Sequence, residues 1–334
     1  MLPKILIITD QGPPTPWAYW FSACQIKKFL INFDIDILCQ KEFLEQQQKL
    51  DKIYDNIYFM NFLYDKIKHK NYLSSVNSHQ FELNLKTRSS ILIPRYKALS
   101  TISKKIYDIL TIKFPEQKFF CCENGVDLEE FYPGNNDNDI FTVGFVGRDM
   151  KGTFEEDLKA INTVLLPLKE RMSKYEDIRF LLHLNNHKNS IPHKDMVHLY
   201  HQMDCFLVTS FREGTGMAME ASACSIPSIC TDVGVCSRVV QQPSLIVPAM
   251  NSESDIERTI SGFEERILFL KNNRDLSKQY GLENLEEIKK NWQWKDKAKE
   301  WEPLFNYGIN GKVSFLPQKP IGSTMIIKDF DFRN

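Results

Sequence analysis

The stretch that decides the fold runs from Ser210 to Asp232 and reads S-F-R-E-G-T-G-M-A-M-E-A-S-A-C-S-I-P-S-I-C-T-D. Just before it, D-C-F-L-V-T at Asp204 to Thr209 is an apolar run suited to a strand buried on both faces. Within it, Ala218 to Cys224 contains no Gly or Pro and suits a helix. Strand, glycine-flanked turn and helix therefore follow one another. The backbone N–H groups of Gly214, Thr215 and Gly216 fall at the expected helix N-terminus, where unpaired donors and the helix dipole favour an anion such as a phosphate. Two carboxylates, Glu213 and Glu220, bracket the turn.

Upstream of this centre, Phe141 to Val146 and Ile178 to Leu184 read as strands, and Glu155 to Tyr175 and Lys194 to Gln202 as helices. Downstream, Ser228 to Thr231 and Leu245 to Val247 are strands and Ile256 to Phe269 a helix, so residues 141–305 form a parallel α/β domain. The N-terminal part opens in the same way. K-I-L-I-I-T-D at Lys4 to Asp10 is a strand with no polar alternation, Trp17 to Leu30 has helical spacing, and F-D-I-D-I-L-C at Phe33 to Cys39 is a second strand. Ile57 to Leu63, Tyr72 to Val76 and Lys118 to Cys122 extend that sheet, and the turn-forming run P-G-N-N-D-N-D from Pro133 marks a boundary. The expected domains are 1–132 and 141–305, joined by a linker at 133–140 and followed by a surface tail at 306–334. Trp292 to Leu304 is read as an aromatic-bearing helix.

The 334 residues are long enough for two such cores. Lys plus Arg number 42 against 43 Asp plus Glu, so no global positive field argues for a nucleic-acid partner. Six basic residues and no acidic one lie between Lys86 and Lys105. They read as a solvated edge, with peripheral membrane contact or a polyanionic acceptor as the alternative. No apolar run reaches membrane-spanning length, and the expected location is cytoplasmic. The eight cysteines contain no C-x-x-C pair and are read as reduced thiols. His183, His187, His193, His198 and His201 are irregularly spaced without recurring acidic partners, which suits a solvated face better than a metal site. Asp34-Ile35-Asp36 and Asp329-Phe330-Asp331 match the D-x-D form of divalent-metal sites, but their surroundings mark them as chance.

Three motifs in order are specific together: E-N-G-V-D at Glu123 to Asp127 with Phe131 and Pro133, V-G-F-V-G-R at Val143 to Arg148 with Lys151-Gly152, and the stretch from Ser210 onward. Across most of Glu123 to Val240 the chain resembles the family 4 (group 1) glycosyltransferases. Resemblance implies an α/β fold of two facing doubly wound Rossmann-like domains with a cleft between them, the glycosyltransferase B fold. It further implies retaining, metal-independent transfer of a sugar from a nucleotide-diphosphate-sugar to an acceptor, without a cofactor. In that reading Arg148 and Lys151 meet the diphosphate's developing charge, a role suited to fixed cations where no metal serves. Glu213 holds the donor sugar's hydroxyls and Glu220 the two ribose hydroxyls, since a carboxylate accepts from adjacent hydroxyl pairs. Gly12, Gly147, Gly214, Thr215 and Gly216 let the donor approach the backbone, and His79 is placed like a histidine that many members project toward the donor sugar.

This chain departs from the family pattern in several ways: Arg148 and Lys151 stand closer together than usual, and Gly12-Pro13-Pro14-Thr15-Pro16 replaces a glycine-rich loop after the first strand. Glu213 and Glu220 stand seven positions apart instead of eight, which preserves the aim of Glu220 only if the missing residue belongs to the loop and not to the helix. Ser225 stands where the family has glycine after the helix, and a left-handed conformation there costs serine on the order of 1 kcal/mol. A nucleotide-sugar epimerase and a catalytically inactive binding subunit of the same architecture are the rival readings.

Overall fold

The computed structural model describes residues 1–10, 12–13, 18–60, 63–64, 71–77, 91–134, 139–148, 157–185, 191–211 and 216–311, except for the side chains of residues 148 and 185. Among the described residues two parallel sheets are present. The first contains β1 (Lys4–Thr9), β2 (Asp34–Cys39), β3 (Asn56–Phe59), β4 (Tyr72–Ser75), β5 (Ala98–Thr101) and β6 (Phe119–Cys121) in the order β2-β1-β3-β4-β5-β6. Helices α1 (Ala18–Phe29), α2 (Gln40–Leu50) and α3 (Lys104–Lys113) connect its strands. The continuous apolar run of β1 follows from burial on both faces. Ile5 and Ile7 join one cluster with Ala23 and Ile26 of α1, while Leu6 and Ile8 join another with Phe43 of α2.

The second sheet has the order β11-β10-β9-β7-β8, from β7 (Phe141–Arg148), β8 (Ile178–Asn185), β9 (Cys205–Val208), β10 (Ser228–Thr231) and β11 (Ile246–Val247). Its helices are α4 (Leu166–Met172), α5 (Met196–Tyr200), α6 (Gly216–Ala223), α7 (Cys236–Val239), α8 (Ile256–Asn272) and α9 (Arg274–Asn291). Each sheet reverses direction once. In the first, β2 and β3 flank β1 on opposite sides; in the second, β8 and β9 flank β7. At such a switch point the connections after neighbouring strands part to opposite faces and leave a crevice at the strands' carboxyl ends.

The domain limits differ from those expected. Val126 and Phe131 are buried in the core of the second domain, so the chain leaves the first domain at about Cys122, some ten residues before the Pro-Gly-Asn turn. The far boundary moves as well. Helix α10 (Trp294–Lys297), a 3-10 turn at Ala298–Trp301 and α11 (Glu302–Asn310) return to the first domain, where Trp294, Trp301, Leu304 and Phe305 pack with β1, β3 and α1. Asn56 of β3 donates to the Phe305 carbonyl at 2.9 Å, and Lys97 donates to the Gly308 carbonyl at 2.6 Å. Aromatic residues that suit any core do not say which of two sheets they cover; the contacts do.

The two crossings between domains are tied to each other. The Val126 N–H donates to the Trp292 carbonyl at 2.8 Å and the Trp294 N–H to the Val126 carbonyl at 3.1 Å, which makes a parallel bridge between the outgoing and returning chains. Gly125 permits this approach, because a Cβ there would meet the Trp294 nitrogen at 2.7 Å and the Trp292 carbonyl oxygen at 2.8 Å.

Candidate functional site

Glu123 follows the carboxyl end of β6, Arg238 follows that of β10, and the two side chains form a two-pronged ion pair. The pair therefore joins segments that follow strands of the two sheets. Arg238 also lies 4.7 Å over the Trp292 ring, and Lys297 covers the same ring at 4.7 Å while donating to Glu123 at 3.1 Å and Glu300 at 2.9 Å. Burial alone would raise the Glu123 carboxyl, but Arg238 and Lys297 outweigh it and hold it below its ordinary range. In the same cluster burial opposes the Lys297 charge, and Glu300 with Glu123 more than restores it.

On the second domain the crevice lies between β7 and β9. Gly147 and Arg148 are the last residues of β7, in register with Leu184 and Asn185 of β8. Gly147 has a packing reason of its own, since a Cβ there would meet the Phe145 ring at 2.7 Å. The segment after β9 is fastened at its base. Thr209 donates to the Lys159 carbonyl at 2.7 Å, the Phe211 N–H donates to the Leu158 carbonyl at 3.0 Å, and the Ser210 carbonyl accepts from the Thr231 hydroxyl at 2.6 Å. Helix α6 then starts at Gly216, so its N-terminus lies at the carboxyl end of the sheet. Lys151, Glu213, Gly214, Thr215 and His79 lie outside the described residues, as does the Arg148 side chain. In the first domain Gly12 follows β1 at its switch point and sits under the Trp20 ring, which a Cβ would meet at 2.8 Å.

Glu220, one turn into α6, is the expected site carboxylate whose geometry is complete. Its Oε1 lies 3.6 Å from where a Cβ on Gly216 would stand, so the carboxylate is turned back toward the helix start. Its Oε2 accepts from the Tyr200 hydroxyl at 2.7 Å, and its Oε1 is 3.5 Å from Nε2 of His193. His193 was expected on a solvated face. It is instead three-quarters enclosed, with its side chain 24% exposed and its Nδ1 3.4 Å from Glu130. Phe21 of α1 stacks on the ring at 4.3 Å between centroids, and Phe131 meets it edge-on at 5.2 Å. Burial would lower the His193 pKa, but Glu130 and Glu220 together lift it to about 9, and Glu130 is lowered in return, chiefly by its bond to His193. Sequence reasoning missed His193, Glu130 and Tyr200, which come to Glu220 from separate segments with no local motif.

Helix α6 ends as its sequence implies. Ser225 is left-handed at φ 62°, the Ile226 N–H donates to the Ala221 carbonyl and the Ser225 N–H to the Ser222 carbonyl, both at 3.0 Å.

Several other expectations can be placed. Asp36 is occupied by the Tyr54 hydroxyl at 2.8 Å and Lys27 at 3.6 Å, while Asp329 and Asp331 lie outside the described residues. Among the described residues no group of three or more His, Cys, Asp or Glu side chains could hold a metal ion. All eight cysteines are unpaired thiols. In the basic stretch, Lys86 and Arg88 lie outside the described residues, Lys97 fastens α11 and Lys104 pairs with Asp108. No helix among the described residues is long and apolar enough to cross a membrane.

Comparison with known proteins agrees with this architecture. Residues 169–281 match the family model described as glycosyl transferases group 1. Over 90 residues the chain is 36% identical to the O-antigen biosynthesis glycosyltransferase WbnH of Escherichia coli, a match that covers 27% of this chain and 23% of that protein. The chain thus matches about a quarter of the length of that relative. The sucrose-phosphate synthase of Thermosynechococcus elongatus superposes over 91% of this chain and 98% of its own with a TM-score of 0.65 at 15% identity. HepE of Anabaena, solved in complex with UDP-glucose, superposes over 91% of this chain and 99% of its own with a TM-score of 0.57 at 10% identity. At these identities the likeness is one of fold, and the fold is that of the group 1, two-Rossmann-domain glycosyltransferases.

Proposed function

We propose that this chain, with the fold of the group 1 glycosyltransferases, is a retaining, metal-independent glycosyltransferase that uses a nucleotide-diphosphate-sugar donor. The observation that carries the reading is the convergence, at the β7/β9 switch point, of Arg148 at the end of one strand with the N-terminus of α6 after the other. Ligands of open parallel sheets bind at such a place, and a helix start with its free N–H groups suits a diphosphate. HepE, which shares the fold, is a complex with UDP-glucose.

In this reading the bond between the sugar's anomeric carbon and the diphosphate oxygen breaks as an acceptor hydroxyl attacks from the same face, forming the new C–O bond and passing its proton to the departing diphosphate. Negative charge gathers on the diphosphate and positive charge on the sugar ring. Arg148, Lys151 and the amides of residues 214–216 would meet the former; cations and dipoles supplied by a protein lower such a barrier because little solvent reorganisation is needed. Glu213 orients the sugar through its hydroxyls, His79 approaches it from the first domain, and Glu220 takes the ribose. Gly12 and Gly147, at the two switch points, would present backbone to the donor. The acceptor in this reading is a glycan, a lipid or a small molecule.

The test is a donor screen. Purified protein is incubated with uridine and guanosine diphosphate sugars in the presence of chelator, followed by detection of released nucleoside diphosphate with and without candidate acceptors. Arg148→Ala and Glu213→Ala should each lower turnover by about a hundredfold or more. Interconversion of donor sugars without an acceptor would instead identify an epimerase, and turnover within a few-fold of wild type in both folded variants would remove these residues from the mechanism.

A further inference from the structure

The side-chain row Gln25, Glu130, His193, Glu220 and Tyr200 runs from α1 of the first domain to α6 of the second. Its distances are 3.0 Å from Gln25 Nε2 to Glu130, 3.4 Å from Glu130 to His193 Nδ1, 3.5 Å from His193 Nε2 to Glu220, and 2.7 Å from the Tyr200 hydroxyl to Glu220. A neutral imidazole carries one ring proton and must present a lone pair to one of two flanking acceptors; only the imidazolium donates to both. The two carboxylates therefore call for a doubly protonated ring. Phe21 and Phe131 fix the plane of that ring from its face and its edge.

We infer that His193 is a positioning residue, an imidazolium clamped between Glu130 and Glu220 that fixes the Glu220 carboxylate toward the start of α6. The consequence for donor binding rests on the reading of Glu220 as the ribose carboxylate. Tyr200 supplies one bond to Glu220 and leaves its rotation about that bond open; the clamp at the second oxygen closes it. Because Phe21 and Gln25 belong to α1, docking of the first domain against the second helps hold the clamp.

Among the described residues, the charged groups around the clamp are Glu130 and Glu220 themselves and, from α1, Lys28, whose ammonium is engaged by Asp127 at 2.6 Å and Glu129 at 2.9 Å; the Cys224 thiol, raised by burial, also lies near Glu220. Cys24 of α1 lies near Glu130, and burial raises its thiol. The sign of the pH effect follows. Clamping lifts His193 from its ordinary 6.5 to about 9, so the stability it contributes is fully present below pH 6.5 and lost as the pH rises through about 9, while the ring in the folded protein keeps both protons until the pH nears 9.

Two measurements test this. The first is a nitrogen-15 imidazole titration of wild type, Glu130→Gln and Glu220→Gln; the second is calorimetric binding of UDP and GDP to wild type, His193→Gln, Glu220→Gln and the double variant at pH 7 and pH 9.5. His193 should carry both ring protons at pH 7, titrate near 9, and titrate lower in each carboxamide variant. Nucleotide affinity should fall about tenfold in His193→Gln, consistent with loss of one charge-assisted hydrogen bond. Wild type should lose affinity between the two pH values, while His193→Gln should add nothing in the Glu220→Gln background. In turnover assays the loss should fall on the donor KM more than on kcat. A ring that titrates near 6.5, or one indifferent to Glu220→Gln, overturns the inference, as does equal nucleotide affinity of wild type and His193→Gln at both pH values. If wild type binds no nucleotide at all, the donor reading fails, and the imidazole titration still decides whether His193 is clamped on Glu220.

Discussion

Replacing Ser225 by glycine should stabilise the protein, although it deletes a hydroxyl and adds backbone freedom. Ser225 sits at φ 62° as the residue that closes α6, a conformation that costs an L-residue roughly 1–2 kcal/mol. Glycine removes that cost but returns about 0.5–1 kcal/mol through the greater entropy of the unfolded chain. The net gain is about 0.5–1 kcal/mol, or a rise in melting temperature on the order of 1–3 °C for a domain of this size. Serine cannot escape the strain by turning its peptide. The carbonyl oxygen of Ser225 stands only 2.0 Å from where a Cβ on Gly281 would be, so α9 is seated directly against it. Scanning calorimetry on wild type, Ser225→Gly and Ser225→Ala separates the terms: alanine loses the hydroxyl and keeps the strain, so it should match wild type or fall slightly below. Gly281→Ala should cost roughly 1–3 kcal/mol through overpacking against the same carbonyl. A Ser225→Gly variant no more stable than Ser225→Ala would refute the backbone origin of the effect.

The hinge offers further tests. Gly125→Ala should disrupt the bridge between Val126 and the 292–294 segment, because the added methyl meets backbone atoms at 2.7–2.9 Å, and urea denaturation should show a loss of roughly 1–3 kcal/mol; an unchanged midpoint would mean that the two crossings do not depend on each other. The depressed Glu123 carboxyl contributes stability that is present above its ordinary pKa of 4.5 and lost as the pH falls through its lowered value. Glu123→Gln should flatten this part of the acid-denaturation profile, and a profile identical to wild type would dismiss the ion pair as a source of acid sensitivity.

The second domain was the most legible part of the sequence. Parallel strands covered on both faces read as unbroken apolar runs, and Ser228–Thr231 has the limits expected of it. Helix α9 gave no such signal, because its buried face carries Ser277, Gly281 and Asn284 beside Leu285 and Ile288, a stripe selected for close approach and not for hydrophobicity. The domain boundary was misplaced because turn-forming residues mark where a chain bends, whereas membership of a domain depends on where Phe131 and Trp301 are buried. The glycine-flanked turn and Glu220 were visible as a local motif. His193 was not, since its role depends on Glu130, 63 positions before it, and on Glu220, 27 after it.

The paired crossings also govern the order in which the molecule can be completed during synthesis. Everything from Val126 to Trp292 is an insertion whose two ends meet at the bridge, so the second core contains all of its strands before the last helices leave the ribosome. The first sheet, although translated earlier, has one apolar face covered only in part, by α1, until Trp294, Trp301, Leu304 and Phe305 complete the cover. The domain made first is therefore finished last, and a nascent chain halted before α10 carries a partly uncovered sheet beside an already complete neighbour.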